Sequence, residues 1–318
     1  MKKTLSLFLT LCLTTTLALL CLTPASAASP EVALAATLAA IEDYNESHGG
    51  TGVLAAGESG DEIIITGEAA YVTKGLALPH KVNWKAKLNG DTEGEALIEG
   101  YVTVLLGSEI FTDGRAIEGQ EIHVQGGVIA AAEAIYSPGG IVHITGGIVA
   151  GNIYASQISI ENARVDINDA EGLENSVVHI APTATANLED KLTNYIMSNG
   201  QGLLTVVGDV TLSFPIEFEV LYIPEGAKLT IDSADFALPN DAMLIVDGEL
   251  VLPDDQDYSD WEGNVVGENA DDLEDYWAGD ELTEDEDEQP LLKWWQRAPR
   301  WAQWILRYIC FGWAWMKP

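Results

Sequence analysis

Ile122-His123-Val124-Gln125-Gly126-Gly127-Val128-Ile129 is followed, 20 residues on, by Val142-His143-Ile144-Thr145-Gly146-Gly147-Ile148-Val149. Each copy alternates apolar and polar residues, turns a Gly-Gly corner and ends in two aliphatics. Alternation predicts a half-buried strand, and paired glycines predict a corner too tight for side chains. A unit of about 20 residues that carries one short strand cannot bury its apolar face alone. It predicts a solenoid, in which each coil covers the next.

The same pattern extends in both directions. Predicted strands are Ile63–Ile65, Val82–Trp84, Val102–Val104, Ile122–Val124, Val142–Ile144, Ile158–Ile160 and Val178–Ile180, with starts 19, 20, 20, 20, 16 and 20 residues apart. In each, the outer two residues point inward and the middle one outward. A hairpin sheet would turn every 8–12 residues without this recurrence, so parallel stacking is favoured over a sandwich. Residues 186–202 interrupt the pattern, with Asn187–Met197 readable as a short helix or a long coil insertion. Strands resume at Leu203–Val207, Val220–Ile223, Lys228–Ile231 and Met243–Val246. Roughly nine coils at ~4.8 Å per stacked strand give a rod ~45 Å long.

Around this body the chain changes character. Residues 1–27 carry Lys2 and Lys3, an apolar run from Leu5 to Leu22 and the small-residue site Ala25-Ser26-Ala27. They read as a secretory signal, with a retained anchor as the rival reading. Residues 28–60 read as a helical cap and a loop. Ser29-Pro30-Glu31 has the chemistry of a helix start, Leu34, Leu38 and Ile41 form its apolar stripe, and His48–Gly60 is loop. The solenoid occupies 61–252. Residues 253–289 form a linker, in which Asp254–Gln289 holds 17 acids and no Lys or Arg, and like-charge repulsion predicts disorder.

Residues 290–318 hold six of the nine tryptophans and five basic residues without an acid. On a helical wheel Lys293, Gln296, Arg297, Arg300, Gln303 and Arg307 make one polar stripe, with Pro299 as a kink or start. Trp294, Trp295, Trp301, Trp304, Ile305, Tyr308, Trp313 and Trp315 supply the aromatic and apolar surface. Together with Arg297, Arg300 and Arg307 they form a candidate membrane-interface helix. The competing reading packs this helix on the last coil.

Charge is lopsided: residues 28–289 hold all 50 acids against eight bases, a net charge of −42. Such a surface repels nucleic acid and attracts cations. Of Cys12, Cys21 and Cys310, only the last lies outside the predicted signal, so no internal disulfide framework is expected.

Chemistry is sparse. The outward positions Thr103, His123, His143, Ser159 and His179 form one polar ladder. Stacking brings His123 and His143 within about 5 Å, close enough to share a metal, but no third ligand is evident and a solvated strand face is the preferred reading. Asp166, Asn168 and Asp169 lie beside Arg164, and Arg164 and Arg115 are the only arginines of the coils. No nucleophile elbow, P-loop, dinucleotide fingerprint or zinc-ligand spacing occurs, so no cofactor is expected.

The Gly-Gly coils, together with Ile223-Pro224-Glu225-Gly226-Ala227-Lys228-Leu229-Thr230-Ile231, resemble secreted right-handed parallel β-helix surface proteins of Firmicutes, of the carbohydrate-binding-domain-like type. The Trp-rich end resembles tails of exported clostridial proteins. The resemblance implies an all-β solenoid at the cell surface that acts as a non-enzymatic structural, adhesive or carbohydrate-contacting module. Parallel β-helix polysaccharide lyases, which hold calcium with acids and use Lys or Arg as base, are the alternative, with Arg164 and Asp166 as the residues in question.

Overall fold

The computed structural model describes residues 29–188, 191–233, 236 and 242–253, and the backbone of 265–266. The expected signal, most of the linker and the whole aromatic tail, Trp294 to Trp315 included, lie outside these residues.

The chain begins with the helix Pro30–Ser47. Pro30 sits in its first turn, and Ser29 contributes its backbone carbonyl to Ala33 rather than a hydroxyl cap. The buried face is Thr37–Ile41–Tyr44, one step round from the expected Leu34–Leu38–Ile41 stripe, and Leu38 is exposed. The large Tyr44 sets this rotation. It packs 5.1 Å from the His48 ring, and Thr37 can be buried because its hydroxyl donates to the Ala33 carbonyl.

Residues 51–59 correct the loop expectation. Thr51–Ser59 is a strand, antiparallel to Glu62–Val72 through a two-residue turn in which Gly60 takes a positive φ. Two glycines, Gly52 and Gly57, hid it in the sequence. Its outer edge is partly closed by the helix. The Asn45 side chain donates to the Leu54 carbonyl and accepts from the Leu54 N–H, both at 2.8 Å, and so stands in for a neighbouring strand.

Parallel coils follow. Val82–Trp84, Val102–Val104 and the segment around Ile122–Val124 pair in the expected register, Val82 on Val102 on Ile122 and Asn83 on Thr103 on His123. Two further ladders complete each turn. One stacks Lys87–Gly90, Glu109–Phe111 and Val128–Ala130, and the other stacks Ala96–Glu99 on Arg115–Glu118. From Glu121 to Ile160 the chain is continuously extended and bends at glycines. A Cβ on Gly147, at φ +86°, would lie 2.7 Å from the Gly126 carbonyl carbon, so corners nest backbone on backbone. Inside, Trp84, Val104, Val124 and Ile144 fill one layer with no measurable exposure, and Trp84 Nε1 donates to the Ala86 carbonyl.

The break at 186–202 is a reversal, and the coil there forms a strand rather than a helix. Tyr195–Ser198 stacks parallel on Val177–Ile180, and then Leu203–Val207 returns antiparallel beside it. Parallel stacking resumes from there through Val220–Ile223 and Met243–Val246, with a second ladder of Asp209–Leu212, Lys228–Ile231 and Glu249–Val251. The core changes face at the same place. Val178 belongs to the first core. Val177, Ile196, Leu204 and Val206 belong to a second one. Adjacent residues of a strand point to opposite faces, so the two cores lie on opposite sides of one shared sheet. Strand direction and core side invert together. The two inversions cancel, and the winding sense is kept, as the strong handedness preference of parallel crossovers requires. The result is one parallel β-solenoid of about nine turns with an N-terminal helix.

Candidate functional site

The outward ladder forms as expected. The rings of His123 and His143 stack at 5.0 Å, and His123 Nε2 lies 2.8 Å from Glu121 Oε1, which Lys81 also contacts. Burial, and then the neighbouring His123, push the His143 imidazole below its ordinary range, while Glu121 and Glu161 oppose the shift. Among the described residues no group of three or more His, Cys, Asp or Glu is arranged to hold a metal ion. At the far end of the ladder, His179 Nδ1 lies 3.0 Å from the Ser198 carbonyl, under the Asn199–Gly202 turn.

The acid and arginine cluster is not one site. Arg164 Nε donates to Asp166 Oδ2 at 2.7 Å in an exposed pair. The backbone N–H groups of Asn168 and Asp169 are both taken by Asn152 Oδ1, which makes that corner a stapled turn. Arg115 is elsewhere and fully engaged. It donates to Glu133 and Glu118, both at 2.7 Å, and its guanidinium lies 3.6 Å over the Tyr136 ring. Arg115 is thus held by two acids and an aromatic face, while Arg164 makes one exposed pair with Asp166.

Arg115 instead begins an aromatic stack that leads to a cleft. Tyr136 meets Tyr154 of the next coil at 5.3 Å between ring centres. The next position is Gly172, whose backbone lies against the inner part of the Tyr154 ring, where a Cβ would come within 2.6 Å. The stack therefore ends at a residue without a side chain, and half-buried Tyr154 faces a cleft of about 320 Å³. One wall is the first section, with Pro138, Tyr154 and Glu171. The opposite wall is the second section, with Thr211, Ser213 and Phe214. Asn175, held at φ 63°, ties the walls together by accepting the Thr211 N–H at 2.9 Å. Burial, and then the charges of Glu133, Glu171 and Asp169, hold the Tyr154 phenol above its ordinary range.

One signal for this cleft lies in the sequence, Tyr136 and Tyr154, 18 residues apart after Arg115. Nothing local announced that residues 211–214 would come back beside them. That placement follows from the reversal at 199–202. A larger depression of about 560 Å³ opens beside Pro30, where the described chain starts, and its lining holds no Tyr, Trp or Phe. With Tyr154 and Phe214 both in its lining, the smaller cleft has the better recognition chemistry. Among the described residues no helix is long and apolar enough to cross a membrane.

Compared with protein-family models, curated proteins and solved structures, the chain matches none.

Proposed function

We propose that this protein is an exported, non-catalytic surface solenoid that holds a carbohydrate chain in the Tyr154–Phe214 cleft and is tethered at the membrane interface by its Trp-rich C-terminus. The observation that carries the reading is the cleft itself. A pyranose offers apolar C–H faces and a rim of hydroxyls. Tyr154 from the first section and Phe214 from the second offer aromatic surface to the cleft, and Thr211, Ser213, Asn175 and Glu171 in the same lining offer donors and acceptors. Both cleft walls are built on coils and their corners, which hold such groups without a folding cost at the moment of binding.

A lyase would need an unpaired basic residue facing convergent acids. The two arginines of the coils are tied into ion pairs, and Arg164–Asp166 lies outside the cleft lining. The test is a glycan array probed with the full chain, followed by turnover assays on the hits. Binding that is lost in Tyr154→Ala, without release of shorter products, is the expected result. Cleavage abolished by Arg164→Ala in a folded variant would replace this reading with the lyase.

A further inference from the structure

The walls of the cleft select shape, and its rim carries a sign. Glu171 is exposed there, and its carboxylate has no hydrogen-bond or ion-pair partner among the described residues. Asp169 Oδ1 accepts the Glu171 N–H. Both oxygens of Glu174 accept from Thr193 and Asn194. Those two acids are thus hydrogen-bonded but meet no cation among the described residues. The neighbouring Arg115 is neutralised by Glu118 and Glu133. A ligand between Tyr154 and Phe214 therefore meets aromatic surface, two hydroxyls and uncompensated negative charge.

A uronic-acid or phosphorylated glycan would face repulsion from that rim. A neutral sugar would satisfy the walls and ignore the carboxylates. Resting on the glycan reading above, we infer that the cleft takes an amino-sugar polymer with free amines, one pyranose between Tyr154 and Phe214 and its ammonium on Glu171. A charge-assisted hydrogen bond across a partly enclosed cleft is stronger than a neutral one. The acidic body around it would speed encounter with a cationic chain.

Three hexasaccharides with one β-1,4 backbone isolate the ammonium: glucosamine, N-acetylglucosamine and glucose. Each is titrated calorimetrically into the full chain at about 0.15 M salt, where diffuse surface attraction is screened beyond roughly 8 Å. The glucosamine hexamer should bind at least about tenfold more tightly than the other two, which corresponds to about 1.4 kcal/mol. Glu171→Gln should erase that preference, and Glu46→Gln, on the N-terminal helix, should keep it. Tyr154→Ala and Phe214→Ala should each weaken all binding, and the pair guards against a folding defect from loss of the tyrosine stack. Equal affinity for all three sugars, or a preference untouched by Glu171→Gln, overturns the amino-sugar inference and leaves the glycan cleft standing. Glucosamine binding insensitive to both aromatic variants means attraction to the acidic surface at large and overturns the inference. Failure of every sugar to bind overturns both readings.

Discussion

The change of core face can be tested by two neighbouring side chains, Ile196 and Met197. Ile196 is 0% exposed and belongs to the second core, while Met197 points to the other face and is 48% exposed. Ile196→Ala removes three buried carbons and leaves a cavity, a loss of about 3 kcal/mol within the usual range of roughly 2–5. Met197→Ala removes partly solvated atoms at no more than about 1 kcal/mol. For a body of this size each kcal/mol moves the melting temperature by about 2–4 °C, so the first variant should melt about 6–12 °C lower and the second almost unchanged. Far-UV circular dichroism follows the transition without interference from the tail tryptophans. Hydrogen exchange should show Leu203–Val251 loosening before Ile63–Ile160 in Ile196→Ala, because those strands line the second core. A solenoid with one core throughout predicts alternation that buries Met197, and the two effects exchanged. That outcome would refute the switch.

Other outcomes follow from the same coordinates. Val124→Asp places a charge in the first core and should prevent soluble folding, whereas His123→Asp on the outer ladder should be tolerated; equal solubility of both would overturn the register. Because the folded state holds His143 below its ordinary range, the unfolded chain takes up that proton at higher pH. Stability should fall as pH drops through roughly 6.5, and His143→Gln should flatten the pH dependence of the urea midpoint between about pH 7.5 and about pH 5. An unchanged slope refutes the assignment. Removing Asn45 with Ala leaves Leu54 without its two edge bonds, at about 1–3 kcal/mol, and should increase self-association seen by light scattering. No change in either measurement would show that the edge needs no cover. For the tail, vesicle co-sedimentation should rank the chain lacking Asp254–Gln289 above the full mature chain, and that above a chain lacking Pro290–Pro318. Binding by the last would end the anchor idea.

Strand placement was legible because a coil repeats its alternation in a fixed frame. Val82–Trp84 and Val102–Val104 lie where the period puts them, and the same frame set His123 beside His143. Where residues are small, the frame fades. The Ala-rich helix left its rotation to be fixed by Tyr44, and the glycines of 51–59 concealed an edge strand. Direction is the deeper gap. Ile196 and Val206 alternate as well antiparallel as parallel, so no pattern of apolar residues reports the reversal between them. The cleft inherits that gap, since Tyr154 and Phe214 meet only once the chain has turned back. Arg164 and Asp166, two positions apart in sequence and chemically suggestive, form a solvated pair.

The Tyr154–Phe214 cleft has a dimension that comes in steps. Its first wall stands on the coil of Tyr154, and its second hangs from Asn175 on the next coil, which also carries Glu171 and Gly172. One further coil inserted between Tyr154 and Glu171 would move the second wall along the rod by one strand spacing, about 4.8 Å. A pyranose repeat is of similar length. Coil number between the walls would therefore count sugar units, and duplication of roughly 20 residues there would admit a ligand one unit longer.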